Sequence, residues 1–159
     1  MKAVNYSFTL QTSKPTARQK TERLEASMLN IPQVDCPVEH HFAPGLWARQ
    51  ITIPKGVVLV GAIHKTDNLA ILSKGVLSLV TDGDPIELTA PCVVMVKAGQ
   101  KNAAIAIEEA VWTNFFPNPT NETNIDKLVE EFSESKSCEL LGGATNLQLM
   151  ANKLAELEN

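Results

Sequence analysis

The side chains best equipped for chemistry in this chain are few: three histidines, His40, His41 and His64, an aspartate, Asp67, and several amides and hydroxyls close by. His64 ends the apolar run 57–63 and is followed by Lys65, Thr66, Asp67 and Asn68 before a second apolar run opens at Leu69. An imidazole at the end of a strand serves as a transition-metal ligand when other imidazoles and carboxylates converge on it. Where they do not, it is a polar contact for a small molecule. His40 and His41 are adjacent, so in a strand at most one of them faces the same interior as His64. A metal site, holding a divalent transition metal, would have to draw on His64, one of His40 or His41, and Asp67. Arg49 lies between Trp47 and Ile51, where a charged residue either reaches solvent or meets an anion. Trp47 and Trp112 offer flat faces to a planar ligand, or else belong to the core.

Nucleophilic chemistry has no signature. There is no G-x-S-x-G elbow, P-loop or G-x-G-x-x-G, and Cys92 opens the apolar run 92–96, where a buried, inert thiol is expected. Glu108 and Glu109 fall at a strand turn and face water. No catalytic residue is expected.

The elements that must position these groups follow from period and punctuation. Residues 1–13 read as an arm or a single edge strand around Tyr6 to Leu10. Strong helix formers from Ala17 to Leu29 predict a strap helix, opened by Ser13 or Lys14 ahead of Pro15 and stopped by Asn30 and Pro32. Between Val38 and Phe116, Gly, Pro, Asn and Asp cut the chain into pieces rich in Val, Ile, Leu and Thr. The pieces span 38–43, 46–53, 57–64, 69–73, 76–81, 86–89, 92–97, 103–107 and 110–116. Such spacing predicts an antiparallel sandwich or barrel with hairpin-like connections. The runs on either side of His64 read as one hairpin around which the rest is wrapped. Ile125, Leu128, Val129 and Phe132 share a helical face behind Thr123–Asp126, which resembles a capping box. A last helix is expected from Leu147, Met150, Leu154 and Leu157. The chain thus divides into an arm and strap helix at 1–35, a barrel at 36–117 and a helical appendage at 118–159.

The same residues carry a family resemblance. Pro54-x-Gly56, His64-Lys65-Thr66, Gly75, and Lys97-Ala98-Gly99-x-x-Asn102 resemble the two-part signature of the cupins. The halves of that signature read G-x5-H-x-H-x3,4-E-x6-G and G-x5-P-x-G-x2-H. The fifteen residues between Gly75 and Pro91 suit the spacing of compact members. His40-His41-Phe42-Ala43-Pro44-Gly45 and Val111-Trp112-Thr113 further resemble small cupin-like proteins of phages and prophages. The resemblance covers about 36–117 and implies an all-β core, a cupin-like antiparallel jelly-roll barrel, to which the pattern read above adds an N-terminal helix and two C-terminal helices. It also implies homo-oligomers, since small barrels of this kind pair through sheets and arms.

The departures set the functional expectation. The second motif histidine is Thr66, the glutamate is Asn68 and the last histidine is Asn102, so amides and a hydroxyl stand where a metal needs imidazole and carboxylate. The expected site is a small-molecule pocket lined by His64, Thr66, Asn68 and Asn102, with Arg49 and Trp112 as further contacts and no resident cofactor. A phage-encoded protein of this kind would capture a host metabolite or nucleotide-derived signal. The alternatives are a metal-dependent isomerase or dioxygenase with a variant site, and a structural, virion-associated protein.

Composition bounds these readings. A chain of 159 residues, 44% apolar and 20% charged, supports one core. A net charge of −4 with scattered Lys and Arg gives no footprint for a nucleic-acid polymer. Cys36, Cys92 and Cys138 match neither a disulfide framework nor a zinc spacing, which suits a reducing compartment. No run suggests a leader or a membrane span. The expected location is cytoplasmic, in the host if the chain is phage-encoded.

Overall fold

The structure, a computed structural model, describes residues 14–81, 83–136 and 139–140. The N-terminal arm, Cys138 and the final helix expected around Leu147 to Leu157 lie outside the described residues.

Helix α1 (Ala17–Met28) begins two residues after Pro15. Its N-cap is Thr16, not Ser13 or Lys14: Thr16 Oγ1 accepts from the Gln19 N–H at 3.2 Å, and Gln19 Oε1 accepts from the Thr16 N–H at 3.0 Å. This reciprocal pairing satisfies two orphan donors of the first turn, whereas Pro15, having no N–H, lies ahead of it. Past its end, Asn30 Nδ2 donates back to the Ala26 carbonyl at 2.9 Å.

Among the described residues nine strands follow: β1 (Val38–Ala43), β2 (Gly45–Ile53), β3 (Val58–Val60), β4 (Asn68–Lys74), β5 (Val76–Val80), β6 (Ile86–Thr89), β7 (Cys92–Val96), β8 (Ala103–Ala106) and β9 (Ala110–Asn118). They form two antiparallel sheets ordered β1-β2-β9-β4-β7 and β3-β8-β5-β6. The pairs β2/β9, β3/β8, β4/β7 and β5/β6 nest inside one another, as in a long hairpin rolled onto itself. That is the strand order of a jelly roll, and the fold is the expected cupin-like antiparallel jelly-roll barrel.

The rolled topology overturns one expectation. The runs flanking His64 are not a hairpin: β3 pairs with β8 in the second sheet, while β4 pairs with β7 and β9 in the first. Only β1/β2 and β5/β6 join sequence neighbours; the other links cross between sheets. Residues 57–64 accordingly give only a three-residue strand before the chain crosses over.

The crossing from β4 to β5 turns at Gly75, whose φ is +83°. A Cβ there would stand 2.1 Å from the Glu109 carbonyl oxygen, so only glycine fits the corner.

Helix α2 (Ile125–Phe132) is capped by Asn124, whose Oδ1 accepts from the Lys127 N–H at 3.2 Å; the cap is one residue later than Thr123. Its buried Leu128, Val129 and Phe132 pack on Trp47 and Phe116. Its C-terminus is stitched to the segment around His64. The Lys65 N–H donates to the Phe132 carbonyl and the Glu134 N–H to the Ile63 carbonyl, each at 2.9 Å. The barrel therefore has an aromatic cluster at the α2 side and an aliphatic one, Cys36, Ile51, Ile53, Leu72, Leu77, Ala106 and Ala110, elsewhere in its interior. Among the described residues no helix is long and apolar enough to cross a membrane.

Candidate functional site

Alternation along β2 and β9 decides what the barrel interior contains. Trp47, Arg49, Ile51 and Ile53 share one face of β2, and Phe116, Asn114, Trp112 and Ala110 stand directly opposite them on β9. Arg49 is therefore an interior residue, and its cross-strand partner is Asn114. Arg49 is half-buried and lines the cavity described below.

Asn114 is locked. Its Oδ1 accepts from Trp112 Nε1–H at 2.9 Å and its Nδ2 donates to Asn68 Oδ1 at 2.8 Å. The chain Trp112–Asn114–Asn68 forms a satisfied polar layer across β9 and β4, and sequence reasoning missed its central member. Asn114 could have been found by alternation, since it falls between inward-facing Trp112 and Phe116.

A cavity of about 760 Å³ occupies the interior. Arg49, His64, Asn102 and Trp112 are all in its wall, together with the aliphatic side chains Ile51, Ile53, Leu59, Leu77 and Leu79. Leu24 and Met28 of α1, with Leu29 and the segment after it, form one side of the wall. Lys101 Nζ holds the helix there by donating to Glu25 Oε1 at 2.7 Å, with the lysine side chain 7% exposed and the glutamate 41%.

His64 is pinned by backbone on both sides: its carbonyl accepts from the Gly99 N–H at 2.9 Å, and it bridges antiparallel to Ser133. Its ring stacks obliquely on Phe116 with centroids 5.4 Å apart. Burial, reinforced by the positive charge of Arg49, pushes its pKa down to about 4, so it is neutral at physiological pH. Burial also lowers the Arg49 pKa to about 10, which leaves the guanidinium charged near neutrality. Two buried polar atoms in the wall, His64 Nδ1 and Asn102 Oδ1, have no hydrogen-bond partner among the described residues.

The residues expected to line one pocket are only partly brought together. Thr66 is exposed, and Asn68, although buried, commits its Oδ1 to Asn114 while its Nδ2 reaches the Thr66 carbonyl at 3.5 Å; neither is in the cavity wall. The chain turns away between His64 and β4 because it is changing sheets.

The secondary metal candidates disperse as well. Asp67 is exposed, bound to Lys97 Nζ and to the Ala98 N–H, each at 2.8 Å, and the Ala98 hydrogen bond leads in lowering its pKa. His41 is exposed near Glu39 at 3.8 Å. His40 stacks on Trp47, and its Nδ1 accepts from Trp47 Nε1–H at 3.2 Å. Among the described residues no three His, Cys, Asp or Glu side chains gather into a metal-binding group. The donors beside His64 are an amide and a guanidinium, and the guanidinium's charge repels a cation. The set does not fit a resident transition metal.

No family model matches the chain, and no curated protein is similar to it in sequence. Among solved structures, KdgF from Halomonas sp. is 16% identical with a TM-score of 0.46, over 56% of this chain and 86% of that one. A cupin-2 domain protein from Shewanella frigidimarina is 16% identical with a TM-score of 0.43, over 60% and 92%. A cupin superfamily protein from Desulfitobacterium hafniense is 14% identical with a TM-score of 0.43, over 72% and 98%.

Proposed function

We propose that this chain is a non-enzymatic binding barrel that encloses a small molecule in its interior. The observation that carries this reading is the cavity of about 760 Å³ between aliphatic walls and a sparse set of polar groups. Small-molecule sites commonly enclose about 300–1,000 Å³ and fix orientation with a few polar contacts. His64, the one imidazole in the wall among the described residues, titrates near 4, far below the range in which a general base is effective at neutral pH. The Glu25–Lys101 clasp holds α1 beside the cavity, an arrangement suited to retention rather than turnover. In a phage-infected host such a protein would sequester a metabolite. A nucleotide-derived signal is the poorer candidate, because several phosphate charges would meet one interior guanidinium.

Binding of the neutral fluorophore 2-naphthalenemethanol tests the cavity. Ala104 lies opposite Leu59 and Leu79 and is in the wall. Wild type should bind the probe and folded Ala104→Trp, whose indole fills the space, should not. Equal binding by both would refute the interior as the site.

A second reading, self-assembly, has its own support. Leu69, Val93 and Met95 lie 51%, 66% and 58% exposed on the outer face of the first sheet, with Leu69 and Met95 paired across strands. Exposed apolar rows of this kind are a usual mark of an interface. Sedimentation should show oligomers that Met95→Glu dissociates, and a monomeric wild type would end this reading. The apolar face of α2 is not free for such contacts, being packed inside its own barrel.

A further inference from the structure

We propose that the cavity takes an uncharged lipophile, a molecule built chiefly of carbon and hydrogen, which enters through an apolar mouth beside α1. This rests on the interior being the binding site, and it adds the polarity of what binds there and the side from which it enters.

Three features of the wall carry the inference. The first is the state of its ionic groups. Glu25 is paired with Lys101 Nζ at 2.7 Å, and Glu139 accepts from the Lys136 N–H at 3.0 Å. Arg49 is engaged within the protein as well. Lys55, the remaining ionic side chain of the wall among the described residues, is exposed and keeps its ammonium in water. Asn114 is committed to Trp112 and Asn68, while His64 Nδ1 and the Asn102 oxygen are shielded beneath the surface of the wall. An ionised ligand drawn inside would lose its hydration without meeting an available counter-charge, which strongly disfavours it.

The second feature is the interior itself. Its volume of about 760 Å³ has room for roughly 25 waters at about 30 Å³ each. Buried waters take about three polar partners each, and the side chains of Ile51, Ile53, Leu59, Leu77 and Leu79 supply none. An apolar body that displaces such poorly bonded water gains affinity by doing so.

The third feature is the position of the exposed apolar side chains. Leu24, Leu29, Ile31, Val34 and Val58 line the cavity and also face solvent, Leu29 at 75% and Ile31 at 59% exposure. Side chains that belong both to the wall and to the surface mark its mouth. They come from α1, the segment after it and β3, so the mouth lies beside the helix. Clustered apolar groups on a surface are a mark of binding. A polyhydroxylated or ionic metabolite gains nothing from such a rim, whereas an apolar molecule sheds water against it on the way in.

The test uses the full chain and three naphthalenes of matched shape, 2-ethylnaphthalene, 2-naphthalenemethanol and 2-naphthoate, titrated by fluorescence at pH 7. Wild type should bind the hydrocarbon about tenfold more tightly than the alcohol, and the alcohol about tenfold more tightly than the carboxylate, or better. Folded Ala104→Trp should bind none of them. Alcohol or carboxylate bound as tightly as the hydrocarbon overturns the polarity inference and leaves the cavity as a binding site. Binding of no probe by wild type, or equal binding by Ala104→Trp, overturns the interior site as well. The mouth is tested with Ile31→Asp, a change at an exposed position that should leave the urea midpoint unaltered. Its association rate with 2-ethylnaphthalene in stopped flow should fall about threefold or more. An unchanged rate overturns entry beside α1. If Ala104→Trp does not fold, the ranking in wild type and the rate in Ile31→Asp decide.

Discussion

His64 illustrates how a single side chain acquires its character from its neighbours. In a solvated loop its pKa would lie near 6.5; against Phe116, and within the field of Arg49, it falls to about 4. Between those values the unfolded chain binds a proton that the folded chain refuses, so stability decreases as pH falls from about 6.5 to about 4 and the loss levels off below that. The full effect is on the order of 3 kcal/mol. Urea unfolding of wild type and His64→Gln at pH 7, 5.5 and 4.5 should show the gap between them shifting in the variant's favour as pH falls. A gap independent of pH would contradict a neutral, buried imidazole. Asn114 has a structural role at the same depth. Asn114→Leu strands the Trp112 N–H and the Asn68 carbonyl oxygen without partners, and should cost about 2–4 kcal/mol in chemical denaturation with a normal spectrum of the folded form.

Strands, helices and corners impose different constraints. The corner at Gly75 joins the two sheets with a positive φ and a backbone carbonyl where a side chain would start. Gly75→Ala must both adopt the left-handed region and displace residue 109, and it should destabilise the fold by about 2–4 kcal/mol in thermal or urea unfolding. Helix α1 presents the opposite case, an element attached by few groups: a buried Thr21, side chains over the cavity, the Lys101–Glu25 pair and an exposed Arg18–Glu134 pair at 4.0 Å. Glu25→Gln leaves a nearly buried ammonium without its carboxylate. Hydrogen exchange in residues 17–28 should then accelerate while β2 and β9 keep their protection. Uniform acceleration in both would mean that α1 is integral to the global fold rather than a clasp on the cavity.

For the molecule as a whole, a hollow barrel has stability to gain from whatever fills it. A ligand confined to the folded state stabilises by about 2.7 kcal/mol at a hundredfold excess over its Kd. Saturating 2-naphthalenemethanol should therefore raise the melting temperature of wild type by several degrees and leave folded Ala104→Trp unmoved. A shift of equal size in both would place the probe outside the interior.

The sequence by itself determined the elements and their type. Glycine, proline and aspartate mark where strands stop, and β-branched runs between them have no better local structure than strands, so the pieces at 38–43 and 86–89 match their observed bounds and most others shift by a residue or two. It also determined that the motif's metal donors are absent, because that depends only on which residues are present. The tertiary structure alone decided which residues meet. Turn residues do not encode whether a chain turns back within a sheet or crosses to the facing one. The change of sheet after His64 therefore separated it from Thr66 and Asn68, while strand register placed Arg49, and the loop ahead of β8 placed Asn102, in the same cavity wall. Asn114 and Arg49 are 65 positions apart and directly opposed. That is a relation of pairing, which no local pattern specifies, and it turns an arginine that the sequence could leave in solvent into a charge in the cavity wall.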